Sequence, residues 1–200
     1  MTLQAQPLNI LCINIRSIIG KLEELCYVLE KYDIHLALIQ ETWLDASTDC
    51  INVPGYETIA RKDRKTSANR GGVLALCRID VKNVVLLSDS VCAERTWLLI
   101  QRDSGSIAIA NWYRPPGEET CMDALRSEFD QASSQADDVI ICGDLNIHHR
   151  RWLRHSNGNT DLGEQLRTFS EEKGMSQLVK EPTRGEYPLD LVLTNLIMLR

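Results

Sequence analysis

An apolar run that ends in a glycine and two polar side chains places the strongest constraint on the fold of this 200-residue chain. Ile140-Ile141-Cys142 is typical of a buried strand, and Gly143-Asp144-Leu145-Asn146 follows it directly. Because successive side chains of a strand alternate between its faces, Asp144 and Asn146 are expected on the same side of the strand end. The pattern predicts a carboxylate beside a carboxamide, although Asp and Asn also close strands as turn residues.

Four further strand-like runs lead to a polar side chain or contain one. The runs are 8–14, 35–43, 107–116 and 187–194, and the polar residues are Asn14, Glu41, Tyr113 and Asp190. An acid inside an apolar run, such as Asp190, is costly unless it is paired or hydrogen-bonded. Taken singly, Asn14 reads as a turn residue, Glu41 as a solvated strand exit and Tyr113 as a packing aromatic. Their order along the chain is what connects them.

In that order the segments resemble the endonuclease/exonuclease/phosphatase superfamily, and in detail the apurinic-type endonuclease domain of non-LTR (LINE-type) retrotransposons. The segments that carry the resemblance are Asn14-Ile15-Arg16-Ser17 with Lys21, Gln40-Glu41-Thr42, Trp112-Tyr113-Arg114-Pro115-Pro116, Gly143-Asp144-Leu145-Asn146 with His148, His149 and Trp152, Glu181-Pro182-Thr183-Arg184, and Leu189-Asp190-Leu191-Val192-Leu193-Thr194. The resemblance implies an α/β fold in which two mixed β-sheets pack as a β-sandwich flanked by helices. It also implies an active site at the end of the sandwich where strand ends converge.

The resemblance further implies a Mg²⁺-dependent site that cleaves phosphodiester bonds, with Mn²⁺ as a substitute. Mg²⁺ prefers oxygen ligands, and Glu41 is the predicted primary metal ligand, with Asn14 beside it. Asp144 takes the family's role of orienting or deprotonating the attacking water. Asn146 and Tyr113 would donate hydrogen bonds to phosphate oxygens.

Asp190 matches the family's aspartate that orients an active-site histidine, and a structural acid is the alternative. Members of the family usually finish with a strand and a Ser-Asp-His, whereas this sequence ends at Arg200. We therefore expect the final strand of a single domain, 1–200, to be missing or supplied by a longer polyprotein. His148 and His149 match a different family position and are weak substitutes.

Basic residues concentrate in two segments, although the formal net charge of −6 argues against a protein that coats nucleic acid. The segments are 61–65 with Arg70, and Arg150-Arg151 with Arg154. A solvated face is the alternative for each. Because the second segment closely follows Asp144 and Asn146, it is the one predicted to contact phosphate. The predicted DNA contacts are Arg114, His148, Arg150 and Arg151.

The composition, 44% hydrophobic and 25% charged, is typical of a soluble globular protein. No apolar run is long enough for a membrane helix and no secretory signal is seen, which predicts an intracellular protein; the resemblance implies a nuclear one. Seven cysteines are an odd number. Those at 12, 77 and 142 lie in predicted strands and are expected to be reduced core residues. No pair has zinc-ligand spacing.

Hydrophobic patterns predict the elements of the fold. Strands are expected near 8–14, 35–40, 56–61, 72–78, 83–87, 97–101, 107–112, 138–142 and 189–194. Three helices have apolar stripes: Leu22, Leu25, Cys26, Leu29 and Tyr32; Met122, Leu125 and Phe129; Leu162, Leu166 and Phe169. Asp161 with Glu164 predicts the start of the third helix, and Gly174 its end.

The resemblance leads to one function, with two alternatives. The leading hypothesis is a retrotransposon endonuclease that nicks duplex target DNA and leaves a 3′-hydroxyl for a downstream reverse-transcriptase domain. A second enzyme of the superfamily, either an abasic-site repair enzyme or a phosphatase, is one alternative. A catalytically inactive relic or DNA-interaction module of the same fold is the other.

Overall fold

Two β-sheets pack face to face in the computed structural model, which describes residues 7–64, 70–118, 122–156 and 158–196. The strands are β1 (Ile10–Asn14), β2 (Leu36–Gln40), β3 (Tyr56–Lys62), β4 (Val73–Arg78), β5 (Val84–Asp89), β6 (Glu94–Arg102), β7 (Gly105–Tyr113), β8 (Asp138–Asp144), β9 (Ser176–Gln177) and β10 (Asp190–Thr194). The helices are α1 (Leu22–Lys31), α2 (Met122–Ser133) and α3 (Asp161–Glu172). The predicted α/β sandwich is confirmed.

The first sheet has four strands in the order β1-β2-β4-β3. Strands β1 and β2 are parallel because α1 carries the chain back across the sheet between them. The whole of β2 is buried, since Leu38 faces the second sheet while its neighbour Ile39 packs with Leu25 and Leu29 of α1. A strand covered on both faces reads as a continuous apolar run.

The second sheet has six strands in the order β5-β6-β7-β8-β10-β9. Strands β7 and β8 are parallel and joined through α2, and β10 returns antiparallel to β8. Helices α2 and α3 cover the outer face, where the rings of Phe129 and Phe169 meet edge to face at 5.4 Å. The core therefore has three layers: one between the sheets and one under the helices on each side.

The registers bring the polar strand ends to one end of the sandwich. Asn14 pairs with Gln40 across β1 and β2, and Tyr113 pairs with Asp144 across β7 and β8. Asp144 also pairs with Asp190 at the start of β10. Since parallel strands end at the same edge of a sheet, these side chains meet there.

Gly143 is required by the close approach of two strands. Its φ of +147° lies where side chains are rarely tolerated, and a Cβ atom would collide with the carbonyl oxygen of Trp112. A larger residue would push β8 from β7 and displace Asp144, the next residue along the chain.

Every predicted strand is present, and the differences lie at element ends. Strand β6 begins at Glu94, three residues earlier than predicted, and β9 was missed because two residues are too few for a hydrophobic pattern. Tyr32, predicted to face the core, follows the last residue of α1 and is 58% exposed. The chain has already left the helical repeat at that point.

The predicted start of α3 at Asp161 is confirmed, and the residue that caps the helix lies one position earlier. Thr160 is the N-cap, and its side chain accepts a hydrogen bond from the Gly163 amide at 3.0 Å. Asp161 is the first helical residue, where a carboxylate favours the positive end of the helix dipole. The predicted stop at Gly174 is confirmed by its left-handed φ of +65°.

Cys77 and Cys142 are buried and Cys12 is half-buried, all as free thiols. Of the residues that the structure describes, none forms a helix long and apolar enough to cross a membrane.

Candidate active site

Four of the predicted site residues meet where the two sheets end. Asn14 ends β1, Glu41 follows β2, Tyr113 ends β7 and Asp144 ends β8. The first two belong to the four-stranded sheet and the last two to the six-stranded sheet. The sandwich itself therefore assembles the cluster, from segments that are far apart in the sequence.

The Asn14 carboxamide joins the two sheets. Its Nδ2 donates to Glu41 Oε1 at 2.7 Å and to Asp144 Oδ2 at 2.6 Å. Its Oδ1 accepts from the backbone amide of Arg16 at 3.2 Å. Both hydrogens of one amide thus hold two carboxylates side by side, and such charge-assisted bonds are among the stronger ones in proteins.

Glu41 is held in an unusual backbone conformation. It is 8% exposed and has a φ of +52°, a left-handed value that is uncommon outside glycine. Its carbonyl accepts from the Ser17 amide at 2.8 Å, and its Oε2 accepts from Trp43 Nε1 at 3.2 Å. Sparsely populated backbone conformations cluster at functional sites.

Asp144 is fully buried but only partly satisfied. Its Oδ2 accepts from Asn14 and from Arg184 Nη2, the latter at 2.9 Å, while its Oδ1 has no hydrogen-bond partner in the described part of the chain. Burial and then the charge of the neighbouring Asp190 raise the pKa of Asp144, which lies at about 6 after the lowering effects of Arg184 and Asn14. The free oxygen marks a position where a cation or a donor is needed.

Tyr113 is buried with its hydroxyl near the acids. Burial raises the pKa of Tyr113 well above its usual value, and the charge of Glu41 and a hydrogen bond to it act in the same direction. The Arg64 guanidinium lies 5.6 Å from the ring centroid. The hydroxyl is therefore a neutral hydrogen-bond donor at the site.

Asn146 and Arg114 shape the loop after β8. Asn146 has a left-handed φ of +47°, and its Nδ2 donates to the Arg114 carbonyl at 2.8 Å. Arg114 donates in return to the carbonyls of Leu145 at 2.9 Å and Asn146 at 2.8 Å. Arg114, predicted as a DNA contact, is half-buried, and its guanidinium satisfies carbonyls that the turn leaves open. These bonds hold Asn146 in position.

Asp190 lies beside the cluster but contacts no histidine in the described part of the chain. It is half-buried, its Oδ1 lacks a partner there, and its backbone amide donates to Thr183 Oγ1 at 3.1 Å. Asp190 was predicted to orient a histidine, and the described residues provide no histidine in contact with it. Its charge acts on Asp144 instead.

The two neighbouring histidines after β8 have different surroundings. His148 packs edge-on against the Tyr187 ring at 6.0 Å and remains half-buried. His149 is 3% exposed and its Nε2 lies 2.8 Å from Glu164 Oε2, which anchors the loop to α3. Of these two histidines, His148 is the one in contact with the ring of Tyr187.

The two basic segments differ in how far they are engaged. Arg150 and Arg151 are exposed on the loop after β8. In the first segment, Arg61 pairs with Asp63 at 2.7 Å, and Arg64 pairs with Glu94. Residue 65 lies outside the described residues. Arg61 and Arg64 of the first segment are thus paired with acids of the protein, and Arg150 and Arg151 of the second segment are exposed.

The donor set suits a hard divalent cation. No group of three or more His, Cys, Asp or Glu side chains that could hold a metal occurs among the described residues. Mg²⁺ does not need such a cage, since it binds through one or two carboxylates and keeps several waters. The Glu41 carboxylate and Asn14 Oδ1 are oxygen ligands of that kind.

Arg184 is the site residue that sequence reasoning missed. It pairs with Asp144 across 40 positions of sequence. The Glu181-Pro182-Thr183-Arg184 segment contributed to the resemblance, but nothing in its spacing shows that the arginine reaches a catalytic acid.

Comparisons with known proteins agree with this geometry. Residues 107–198 match the family model described as endonuclease-reverse transcriptase. No curated protein sequence matches the chain. The fold is similar to the endonuclease domain of TRAS1, a telomere-specific non-LTR retrotransposon, with a TM-score of 0.67, 17% identity, and coverage of 94% of this chain and 84% of that one.

Two further solved structures show the same fold. The AP endonuclease LMAP from Leishmania major has a TM-score of 0.64 and 15% identity, covering 94% of this chain and 78% of that chain. The 3′ phosphatase NExo (D146N) from Neisseria, bound to a product DNA hairpin, has a TM-score of 0.58 and 13% identity, covering 94% and 86%.

The chain has the fold of these solved nucleases and of the phosphatase, and residues 107–198 match the endonuclease-reverse transcriptase model. It is similar to the endonuclease domain of a non-LTR retrotransposon, and the resemblance predicted from the sequence is confirmed at that level.

Proposed function

We propose that the chain is a divalent-metal-dependent DNA endonuclease domain that hydrolyses phosphodiester bonds. The observation that carries the proposal is the Asn14 amide, which bonds at once to Glu41 at 2.7 Å and to Asp144 at 2.6 Å. Burying two acids together costs free energy unless their charge is balanced. A cluster of this kind at the end of two sheets favours a cationic ligand and the chemistry that it supports.

Glu41 and Asn14 would hold the ion, Mg²⁺ or its substitute Mn²⁺. When bound, a divalent cation neutralises the charge that grows on the phosphate during hydrolysis. Asp144 would orient the attacking water and accept its proton through the oxygen that lacks a partner. The neutral hydroxyl of Tyr113 would donate to a phosphate oxygen, where a positioned donor stabilises developing charge.

DNA is the substrate that we propose. One structure with this fold is bound to a product DNA hairpin, and another is the endonuclease domain of a telomere-specific non-LTR retrotransposon. In this chain Arg150 and Arg151 are exposed on the loop that follows Asp144. We infer a nick in target DNA that leaves a 3′-hydroxyl, to be extended by a reverse transcriptase in a longer polyprotein.

Relaxation of supercoiled plasmid in Mg²⁺ tests the proposal. Asp144→Asn should reduce nicking by about 10²-fold or more, because a positioned proton acceptor contributes about 10²–10⁴-fold. Asp138→Asn, at the opposite end of the same strand, is the matched control and should retain activity. A parent protein that leaves plasmid intact in both Mg²⁺ and Mn²⁺ would contradict the proposal.

Two parallel substrates separate the alternatives. A strong preference for an abasic duplex would indicate a repair enzyme, and hydrolysis confined to an inositol phosphate would indicate a phosphatase. DNA binding with no hydrolysis of any substrate would indicate an interaction module.

A further inference from the structure

The ion pair between Arg184 and Asp144 joins an accessible cation to a buried acid. Arg184 Nη2 lies 2.9 Å from Asp144 Oδ2, and the side chains are 32% and 0% exposed. Arg184 is the one cation paired with this carboxylate among the described residues. The guanidinium thus occupies Oδ2 of the acid that is central to the proposed chemistry.

The Arg184 side chain has unused hydrogen-bonding capacity. A guanidinium carries five N–H donors in a planar fork. Within the described part of the chain, the side chain of Arg184 makes a single hydrogen bond, the one to Asp144. Arginine forks match phosphate oxygens, often through two parallel bonds. The remaining donors are therefore available to a phosphate next to the site.

Arg184 sits on a short hairpin. Its backbone forms an isolated bridge with Tyr187, in which each amide donates to the other residue's carbonyl at 3.0 and 3.1 Å. The preceding Thr183 Oγ1 accepts from the amides of Leu189 and Asp190, both at 3.1 Å. The base of the hairpin is thus attached to β10, while the arginine extends over the cluster from its half-exposed position.

A cavity beside the pair provides room for a ligand. It has a volume of about 260 Å³ and is bordered by Asn14, Thr183, Arg184 and Asp190, among others. A water molecule occupies roughly 30 Å³ in the liquid. The space is therefore several waters in size and adjoins both Asn14, one of the two proposed metal ligands, and the arginine.

We propose that Arg184 is a phosphate-binding residue that exchanges partners, pairing with Asp144 in the free protein and with a DNA phosphate in the complex. The inference rests on the proposed function, since it assigns the phosphate to the same site. On binding, the guanidinium leaves Asp144 Oδ2 for the phosphate, while Asp144 Oδ1 remains the oxygen proposed to act on water. Arg184 and a divalent cation also compete to balance the same acid.

The exchange predicts opposite effects on two ligands. Arg184→Ala should bind Mn²⁺ alone about fivefold more tightly, because a partly exposed ion pair contributes up to about that factor. The same variant should bind a short DNA duplex more weakly in EDTA. Its slope of log affinity against log salt should be shallower by about 0.9, the contribution of one phosphate contact.

Calorimetry with Mn²⁺ and duplex binding at several salt concentrations test the proposal, with melting temperatures measured beside them. Arg184→Lys keeps the charge and should retain the salt slope. Arg126→Ala, which removes a charge from α2, is the control and should leave both affinities unchanged.

An unchanged salt slope for Arg184→Ala would overturn the proposal. A parallel loss of Mn²⁺ affinity and DNA affinity, together with a lowered melting temperature, would indicate a structural role and would also overturn it. These measurements involve no hydrolysis. A parent protein that binds DNA without nicking it would therefore refute the endonuclease and leave the exchange of partners intact.

Discussion

Replacing Asn14 by Asp should make the stability of the protein depend on metal. The new side chain has the same shape but no N–H, so the contacts of 2.7 Å to Glu41 and 2.6 Å to Asp144 become repulsions between carboxylates. A hydrogen bond to a charged group contributes about 1.5–3 kcal/mol. Because Asn14 is half-buried, we take the lower value for each bond, a loss of about 3 kcal/mol in the free energy of unfolding.

For a domain of this length, 1 kcal/mol corresponds to about 2–4 °C in melting temperature, so Asn14→Asp should melt about 6–12 °C below the parent in EDTA. A third carboxylate also strengthens a cation site. A ligand present at 100 times its Kd stabilises the folded state by about 2.7 kcal/mol. Saturating Mn²⁺ should therefore recover most of the loss.

Thermal melting by circular dichroism, with and without Mn²⁺, measures both effects. Asn83→Asp introduces the same charge on an exposed turn and should melt with the parent in either buffer. If Asn14→Asp melted with the parent in EDTA, the bridging amide would have no energetic role. If Mn²⁺ raised its melting temperature no more than that of the parent, the cluster would not be a cation site.

Three further predictions concern other parts of the chain. Replacing Arg150 and Arg151 together by Ala should flatten the salt dependence of duplex DNA binding, and an unchanged slope would reject the loop as a phosphate contact. Burial alone would raise the pKa of Glu128. Hydrogen bonds from Arg95 and Trp97 nevertheless keep this pKa below its usual 4.5. The stability that these bonds provide is present above about pH 4.5 and is lost as the pH falls through the lower pKa of the folded state. Glu128→Gln should therefore have a lower melting temperature than the parent at neutral pH, and the two melting temperatures should converge in acid. Removing the cap of α3 with Thr160→Ala should lower the free energy of unfolding by about 1 kcal/mol in urea titrations, without changing Mn²⁺ affinity.

Much of the fold was predictable because burial on two faces leaves a simple pattern. Strand β2 reads as an uninterrupted apolar run because one face meets the second sheet and the other meets α1. The meeting of Asn14, Glu41, Tyr113 and Asp144 was expected because their order along the chain resembles a known family, and the resemblance implies an active site where strand ends converge.

The rest depended on tertiary contacts that have no local signature. Arg114 and Arg184 are both arginines near predicted site residues. Arg114 donates its hydrogen bonds to backbone carbonyls, whereas Arg184 donates to Asp144. Which donors are satisfied depends on how the turns fold, and that is decided by packing. The left-handed backbone of Glu41 is likewise set by its neighbours, since the sequence there contains no glycine.

Calorimetric titration of the parent, Glu41→Gln and Glu57→Gln with Mn²⁺ tests the central claim, that the cluster at the end of the two sheets is a divalent-metal site. Glu57 lies exposed on β3 and provides the matched loss of one charge. We predict one saturable site in the parent and in Glu57→Gln, and none in Glu41→Gln. Equal Mn²⁺ affinity in Glu41→Gln and the parent would contradict the account.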